Sequence, residues 1–204
     1  MYKRNEQYPE EALAARKEAW CAELGNEKFP SNLIDKRIKN SLNGHKDWLL
    51  IGGPPCQAYS LVGRARVGGI ANNDHRVYLY KEYLRIIAKH QPAVFVMENV
   101  KGLLSAKVKD EDGKEEKVFD WIKRDLQDPS SVFTDLNSKK YKIYSLSTSF
   151  KDTDSSGNPV YEKDSDFLIK AENYGGPQKR HRVILLGIRS DVSFRPETLK
   201  KKSE

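Results

Sequence analysis

Two side chains of this sequence pair a nucleophile with an acid, each placed at the end of an apolar segment. Cys56 follows the stiff pair Pro54-Pro55, and two arginines come soon after it, where they would favour a thiolate. Glu98 follows the apolar run 93–97, and burial there would disfavour its charged form unless it is paired. A thiolate beside a proton-donating carboxyl is suited to attack on a heterocycle and protonation of its nitrogen.

Each of these residues also has a purely structural explanation. Most cysteines are small buried hydrophobes, and core packing would explain Cys21, which lies in a predicted helix. Glu98 would cap the loop after its strand, and Asn99 would be a turn residue or would brace a neighbouring loop. The glycines before Cys56 and the arginines after it favour the catalytic interpretation.

A third polar group precedes the last strongly apolar segment. Gln178, Arg180 and Arg182 alternate with Lys179 and His181, so a strand would direct the first three to one face. Three long polar side chains on one face would hold a base carbonyl and phosphates. The alternative is a solvated edge that only carries charge.

The apolar pattern predicts the scaffold for these groups. Buried strands alternate with amphipathic helices, which indicates an α/β fold with a largely parallel sheet flanked by helices. Ligands of such sheets bind at the carboxyl ends of the strands, where Cys56 and Glu98 are expected. Predicted helices cover 9–24, 31–44, a segment from Asp74 and 118–126; strands cover 47–51, 93–97, 141–150 and 183–188; 107–117 and 151–166 are charged loops.

Composition narrows the class of protein. The 204 residues carry a formal charge of +7 and a pI of about 9.2, which suits a polyanionic partner but equally suits simple solubility. The two cysteines have no metal-ligand spacing, so we expect no metal site and a reducing cytoplasm. No apolar run is long enough to cross a membrane.

Four segments, taken in order, resemble motifs of the DNA (cytosine-5) methyltransferase family. Any one of them is a weak signal, but four in the family's order are very specific, and together they cover most of the chain. They are 52–60 with Gly63 (Gly-Gly-Pro-Pro-Cys-Gln-Ala-Tyr-Ser), Asp74 with Arg76 and Leu79, 97–100 (Met-Glu-Asn-Val), and 173–182 (Asn-Tyr-Gly-Gly-Pro-Gln-Lys-Arg-His-Arg).

The resemblance implies a reaction and a role for each site residue. Cys56 would add to carbon 6 of cytosine, which turns the ring into an enamine that accepts a methyl group at carbon 5. Glu98 would hydrogen-bond ring nitrogen 3 and the exocyclic amine. Arg182, with Arg180, would hold the base carbonyl, and Asn99 would brace the catalytic loop.

The same resemblance implies a Rossmann-like fold that uses S-adenosylmethionine, and double-stranded DNA as the substrate. Pro55, Leu79 and Asp35 are the expected cofactor contacts. The target base would leave the helix stack, and the Gly-rich loop 60–69 would close over it. The expected DNA contacts are Gln57, Ser60, Arg64, Arg66 and Gln178.

Parts of the family pattern have no match in the sequence. We find neither the Phe-x-Gly-x-Gly cofactor loop before Cys56 nor a target-recognition region after Arg189. We therefore expect an incomplete fold with little activity alone, either a truncated gene product or one part of a split enzyme whose complementary chain would supply both regions. The expected divisions are a helical segment 1–46, a catalytic core 47–195 and a disordered tail 196–204.

The expected function is that of a DNA methyltransferase of a bacterial restriction-modification system, and three other functions are alternatives to it. A tRNA cytosine-5 methyltransferase would use the same four motifs. A catalytically inactive DNA-binding or scaffolding fragment would explain the missing cofactor loop, but not the thiol and carboxyl on one edge. Thymidylate synthase also uses a Pro-Pro-Cys nucleophile, but it has His where this chain has Gln57.

Overall fold

The computed structural model describes residues 8–55, 75–109 and 115–202. They form four α-helices and nine strands, and five of these strands make up one main sheet. The helices are α1 (Pro9–Glu18), α2 (Ser31–Leu42), α3 (His75–His90) and α4 (Val118–Gln127). The strands are β1 (Leu49–Gly52), β2 (Val94–Val100), β3 (Lys107–Lys109), β4 (Glu115–Lys117), β5 (Tyr141–Tyr144), β6 (Asp152–Thr153), β7 (Pro159–Val160), β8 (Leu168–Lys170) and β9 (His181–Arg189).

The main sheet has the order β1-β2-β9-β5, with β8 also paired to β9. β1 and β2 are parallel, while β9 runs antiparallel to β2, β5 and β8. The predicted α/β class is therefore confirmed, and four of these five strands share one direction. The expectation of a largely parallel sheet missed the reversal of β9, which follows β8 after a short connection that permits only an antiparallel return.

One face of the sheet forms the core. Alternate residues of β2, namely Phe95, Met97 and Asn99, are buried, as are Val183 and Leu185 of β9. Helices α3 and α4 cover this face with apolar side chains at helical spacing, as the sequence predicts. Those side chains are Tyr80, Tyr83, Leu84 and Ile87 from α3, and Phe119, Ile122 and Leu126 from α4.

The first helix ends six residues before the predicted position. Arg37 of α2 donates hydrogen bonds to the carbonyl oxygens of Lys17 (2.6 Å) and Glu18 (3.2 Å). These are carbonyls that a continuing helix would use itself, so the guanidinium satisfies the last turn from outside. Beyond it, the Trp20 ring packs edge-on against Phe29, with 5.8 Å between centroids.

Several other predicted boundaries were wrong. β2 extends to Val100, so Glu98 and Asn99 lie inside the strand instead of following it. The predicted strand 141–150 ends at Tyr144. The charged segments form hairpins at their paired ends, β3 with β4 and β6 with β7. α2 begins at Ser31 as predicted, after Pro30, and ends at Leu42, two residues before the predicted end.

The tail was expected to be disordered, but its described part lies on the body of the protein. The Arg195 guanidinium stacks over Phe150 at 4.1 Å from the ring centroid. The Leu199 amide donates to the Leu146 carbonyl (2.8 Å), and the Lys202 amide donates to the Asn173 carbonyl (2.9 Å). These contacts hold 195–202 along the ends of β5 and the segment before β9.

Within the described ranges, no helix is both long and apolar enough to span a membrane.

The burial of Asp125 in α4 can be tested through the pH dependence of the free energy of unfolding. Its side chain is buried on the core side of the helix, and burial raises the pKa of Asp125 to about 6. The folded protein thus holds this proton more tightly than the unfolded chain, and stability falls as pH rises from about 4 to about 6. We predict that Asp125→Asn raises the free energy of unfolding at pH 7.5 by about 1–3 kcal/mol.

The gain should shrink as the pH falls through about 6 toward 4, because the native aspartate is then already neutral. Urea unfolding of both proteins across that pH range measures it. Asp135→Asn, at an exposed position, is the matched control and should show no such gain. A pH-independent effect of Asp125→Asn would contradict the assignment.

Candidate active site at the ends of β1 and β2

The parallel pairing of β1 with β2 brings the two predicted catalytic segments together. Gly52, the last residue of β1, lies opposite Met97 of β2. The chain then leaves the sheet at Gly53, beside Glu98. A Cβ atom placed on Gly53 would lie 2.9 Å from Glu98 Oε2, so the absence of a side chain there gives the carboxylate its place. Pro54, directly after it, is buried, and Pro55 is exposed.

Glu98 and Arg182 form an ion pair on the sheet face opposite the core. Glu98 lies opposite Ile184 in the antiparallel register, so Arg182, two residues away on β9, shares its face. The Arg182 Nε atom lies 2.6 Å from Glu98 Oε1, and the side chains are 26% and 42% exposed. The Nε–H is not aligned on the carboxylate and has no hydrogen-bond acceptor, so the contact is one of charge. Arg182 Nη1 donates to the His181 carbonyl (2.8 Å), which fixes the guanidinium.

Asn99 ties the end of β2 to the loop that leads into Cys56. Its buried amide Nδ2 donates to the Pro54 carbonyl oxygen at 3.1 Å, and its Oδ1 accepts the Val100 amide at 2.8 Å. Of the two structural explanations for Asn99, the brace to a neighbouring loop is therefore confirmed, and the turn residue is wrong. Its part in catalysis stays a prediction.

Sequence reasoning missed Tyr83, which sets the position of β1. A Cβ on Gly52 would lie 2.4 Å from the Tyr83 ring, so the ring packs directly on the glycine backbone. The Tyr83 hydroxyl donates to the Val96 carbonyl at 3.1 Å, and burial raises the pKa of this phenol. Tyr83 lies three residues after Tyr80 on the apolar face of α3, and that spacing could have identified it.

The predicted alternation of the basic cluster was wrong before residue 181. β9 begins at His181, so Gln178 and Arg180 precede the strand and are exposed. The Arg180 carbonyl accepts the Ala171 amide at 3.0 Å, while the ion pair of Glu98 is with Arg182. His181 Nε2 lies 2.7 Å from Glu172 Oε1, and this hydrogen bond lowers the pKa of Glu172.

The three predicted cofactor contacts, Asp35, Pro55 and Leu79, lie in different surroundings. Asp35 Oδ1 lies 2.8 Å from both Arg85 Nη1 and His90 Nε2, and this cluster fastens α2 to α3. Burial opposes ionisation of Asp35, but these two partners outweigh it and lower its pKa. Pro55 is exposed, and Leu79 is half-buried in α3. The Asp35 carboxylate is therefore already engaged by Arg85 and His90, which does not fit a free contact to adenine, and the contacts of Pro55 and Leu79 stay predictions.

Five predicted residues of the site lie outside the described ranges. They are the nucleophile and the loop residues after it: Cys56, Gln57, Ser60, Arg64 and Arg66. In the described part of the chain, no three His, Cys, Asp or Glu side chains are grouped so as to hold a metal ion.

Comparison with known proteins shows the family of this chain. The family of C-5 cytosine-specific DNA methylases matches residues 10–129, more than half of the chain. The chain is 34% identical over 146 residues to the Type II methyltransferase M.Bpa9945I of Bacillus paralicheniformis, covering 72% of this chain and 26% of that protein. This chain belongs to the C-5 cytosine-specific DNA methylase family.

Two further relatives show the same partial coverage. M.FnuDI of Fusobacterium nucleatum is 33% identical over 166 residues, 80% of this chain and 36% of that protein. The DNA (cytosine-5-)-methyltransferase M.ApeKI of Aeropyrum pernix is 32% identical over 154 residues, 74% and 29% respectively. The chain therefore spans about a quarter to a third of the length of these relatives.

Among solved structures, a candidate DNA modification methyltransferase encoded within a prophage (E. coli) matches with a TM-score of 0.41 and 22% identity. The match covers 81% of this chain and 36% of that one.

Substitution of Gly52, the last residue of β1, should lower stability, whereas substitution of Gly53 after it should mainly change the geometry of the site. Gly52→Ala forces a methyl group against the packed Tyr83 ring, so we predict a loss of about 1–3 kcal/mol in the free energy of unfolding. Gly53→Ala meets only the mobile end of Glu98, so its stability should stay within about 1 kcal/mol of the native protein.

Urea denaturation of both variants measures the difference. Gly102→Ala serves as the control, because its nearest neighbour would be 4.0 Å away. Equal losses for the first two variants would contradict the packing described for Tyr83.

Proposed function

We propose that this chain supplies the cytosine-activating part of a DNA (cytosine-5-)-methyltransferase. The observation that carries the proposal is the hydrogen bond from Asn99 to Pro54. It fastens the loop entering Cys56 to the strand that carries Glu98, and Glu98 is in turn held by Arg182. A nucleophile, an acid and a guanidinium directed at one ring need this kind of fixed spacing.

In the proposed reaction, the Cys56 thiolate forms a bond to carbon 6 of a cytosine taken out of the helix stack. The electron pair of the 5,6 double bond becomes available at carbon 5, and Glu98 hydrogen-bonds nitrogen 3 and the exocyclic amine as charge develops there. Arg182 orients Glu98 and faces the base carbonyl. Once carbon 5 had accepted a methyl group, or a proton from solvent, loss of its original hydrogen as a proton and expulsion of the thiolate would restore the 5,6 double bond.

S-adenosylmethionine would supply the methyl group in the complete enzyme. Since the described residues do not form its cradle, the proposal for this chain is confined to binding and activating the base. Gln57, Ser60, Arg64 and Arg66 are proposed to contact the DNA around the extruded cytosine. A Type II restriction-modification role follows from the relatives' names only by analogy.

A complementary polypeptide is the partner we propose for the cofactor half. β1 is an edge of the described sheet, and its Leu49 and Ile51 side chains are 51% and 70% exposed. An open apolar edge strand is an aggregation hazard unless another segment covers it. A groove of about 520 Å³, lined by Trp20, Ile38 and Trp48 among others, lies next to the start of this strand. Its apolar lining suits a packed helix.

If a second polypeptide supplies the cofactor half of the enzyme, this chain alone should bind S-adenosylmethionine weakly. Calorimetric titration with S-adenosylmethionine should give no binding in the micromolar range, because the loop for the methionine moiety has no counterpart in the sequence. Micromolar affinity would mean that the residues of this chain already complete the pocket.

The activation step can be measured without a methyl donor. Reversible addition of a thiolate to carbon 6 lets solvent protonate carbon 5, so tritium placed at carbon 5 of cytosine is released to water. We predict release from tritiated DNA by the native chain, its loss in Cys56→Ala, and no loss in Cys21→Ala, the other cysteine and an exposed one. Glu98→Gln should slow release by about 10²–10⁴-fold.

The Gly53→Ala variant links the chemistry to the geometry. It should also slow release while it remains folded, since its methyl group displaces the Glu98 carboxylate. Unchanged release in Cys56→Ala would overturn the proposal. Absence of release from a chain that binds DNA would favour the inactive scaffold, and release from tRNA but not DNA would favour the tRNA enzyme.

A further inference from the structure

The described tail places three consecutive lysines beside the segment that leads into β9. The Leu199 amide donates to the Leu146 carbonyl at 2.8 Å, and the Lys202 amide donates to the Asn173 carbonyl at 2.9 Å. The run Lys200-Lys201-Lys202 is thus anchored by backbone hydrogen bonds on both sides. Lys202 Cδ approaches within 3.5 Å of the position that a Cβ on Gly175 would take.

The surface around this run is strongly basic. Its cations are exposed, and none of them forms an ion pair with another described residue. The nearby acidic side chains are largely engaged, since Glu172 is bonded to His181 and Glu98 is paired with Arg182. Glu197 is the exposed acid of the tail itself. The cations of this basic surface are Lys170, Lys179, Arg180, Lys200, Lys201 and Lys202.

We propose that this basic surface binds the phosphate backbone of double-stranded DNA next to the target cytosine, with Lys200, Lys201 and Lys202 as its phosphate contacts. The inference rests on the proposed function for the identity of the partner. Arg180 of this surface lies two residues before Arg182, and Lys170 pairs with His181 at the start of β9, so the surface adjoins the segment that carries Arg182. Cations that neutralise phosphates position a duplex without reading its sequence.

The anchoring distinguishes this run from a mobile basic tail. A mobile tail would lose conformational freedom at each residue that became ordered on the duplex, and this loss would oppose binding. Hydrogen bonds to Leu146 and Asn173 already fix the lysine backbone in the protein. The backbone that carries the three ammonium groups is therefore already ordered before DNA binds. Less of their attraction to phosphate is then offset by the loss of conformational freedom.

The test compares two triple variants with the same change in net charge. One is Lys200→Ala, Lys201→Ala, Lys202→Ala. The control is Lys28→Ala, Lys36→Ala, Lys39→Ala, three exposed lysines in and before α2. α2 leads into the start of β1, which lies at the opposite end of the sheet from the start of β9.

The measurement is the dissociation constant for a fluorescent DNA duplex of arbitrary sequence, taken across a series of salt concentrations. For the tail variant, the slope of log affinity against log salt should become shallower by about 2–3, since each phosphate contact contributes about 0.9. The control should change the slope by less than about 1. Thermal unfolding confirms that both variants are folded.

Equal slopes for the two variants would overturn the inference, and so would a loss of tRNA binding with DNA binding unchanged. The result is independent of the chemistry at Cys56, because a Cys56→Ala protein should show the native slope. If tritium release fails while the slopes differ as expected, the proposed catalytic function fails and the DNA-binding surface remains.

Discussion

The parallel pairing of β1 with β2 is the constraint on which the rest of the site depends. It brings the end of one strand next to the middle of the next, so that Gly53 leaves the sheet beside Glu98. The Asn99–Pro54 hydrogen bond then holds the departing loop at that level. A buried amide that lost this partner would pay for its desolvation, so the link is costly to open. The approach to Cys56 is therefore set by backbone geometry.

The reversed strand β9 contributes a second kind of constraint. Its antiparallel register with β2 puts Arg182 on the same face as Glu98, two residues off the direct pair. On the opposite face, Gly187 leaves room for the Phe95 ring, because a Cβ there would lie 2.1 Å from it. One strand thus packs the core with one face and positions the guanidinium with the other, so the placement of Arg182 follows from core packing.

The sequence predicted the local features of the site and missed those that depend on distant contacts. The apolar run before them singled out Glu98 and Asn99, and the resemblance to the methyltransferase family singled out Arg182; their catalytic roles stay predictions. The end of α1 could not be predicted, because Arg37, about twenty residues away, satisfies its last carbonyls. The reversal of β9 was missed for a different reason, because an apolar run carries no signal of its direction. The roles of Cys56 and its loop stay predictions.

Burial separates the residues that maintain the site from those that would react in it. Asn99 is buried and Gly52 packs on the Tyr83 ring, so their contacts are part of the folded core. Glu98 and Arg182 are partly exposed, and a pair of this kind contributes only about 0–1 kcal/mol to stability. Their close approach is therefore not explained by stability alone. The geometry of the proposed base-activating groups depends on the β1–β2–β9 sheet, because β1 brings Gly53 beside Glu98 and β9 places Arg182 on the same face.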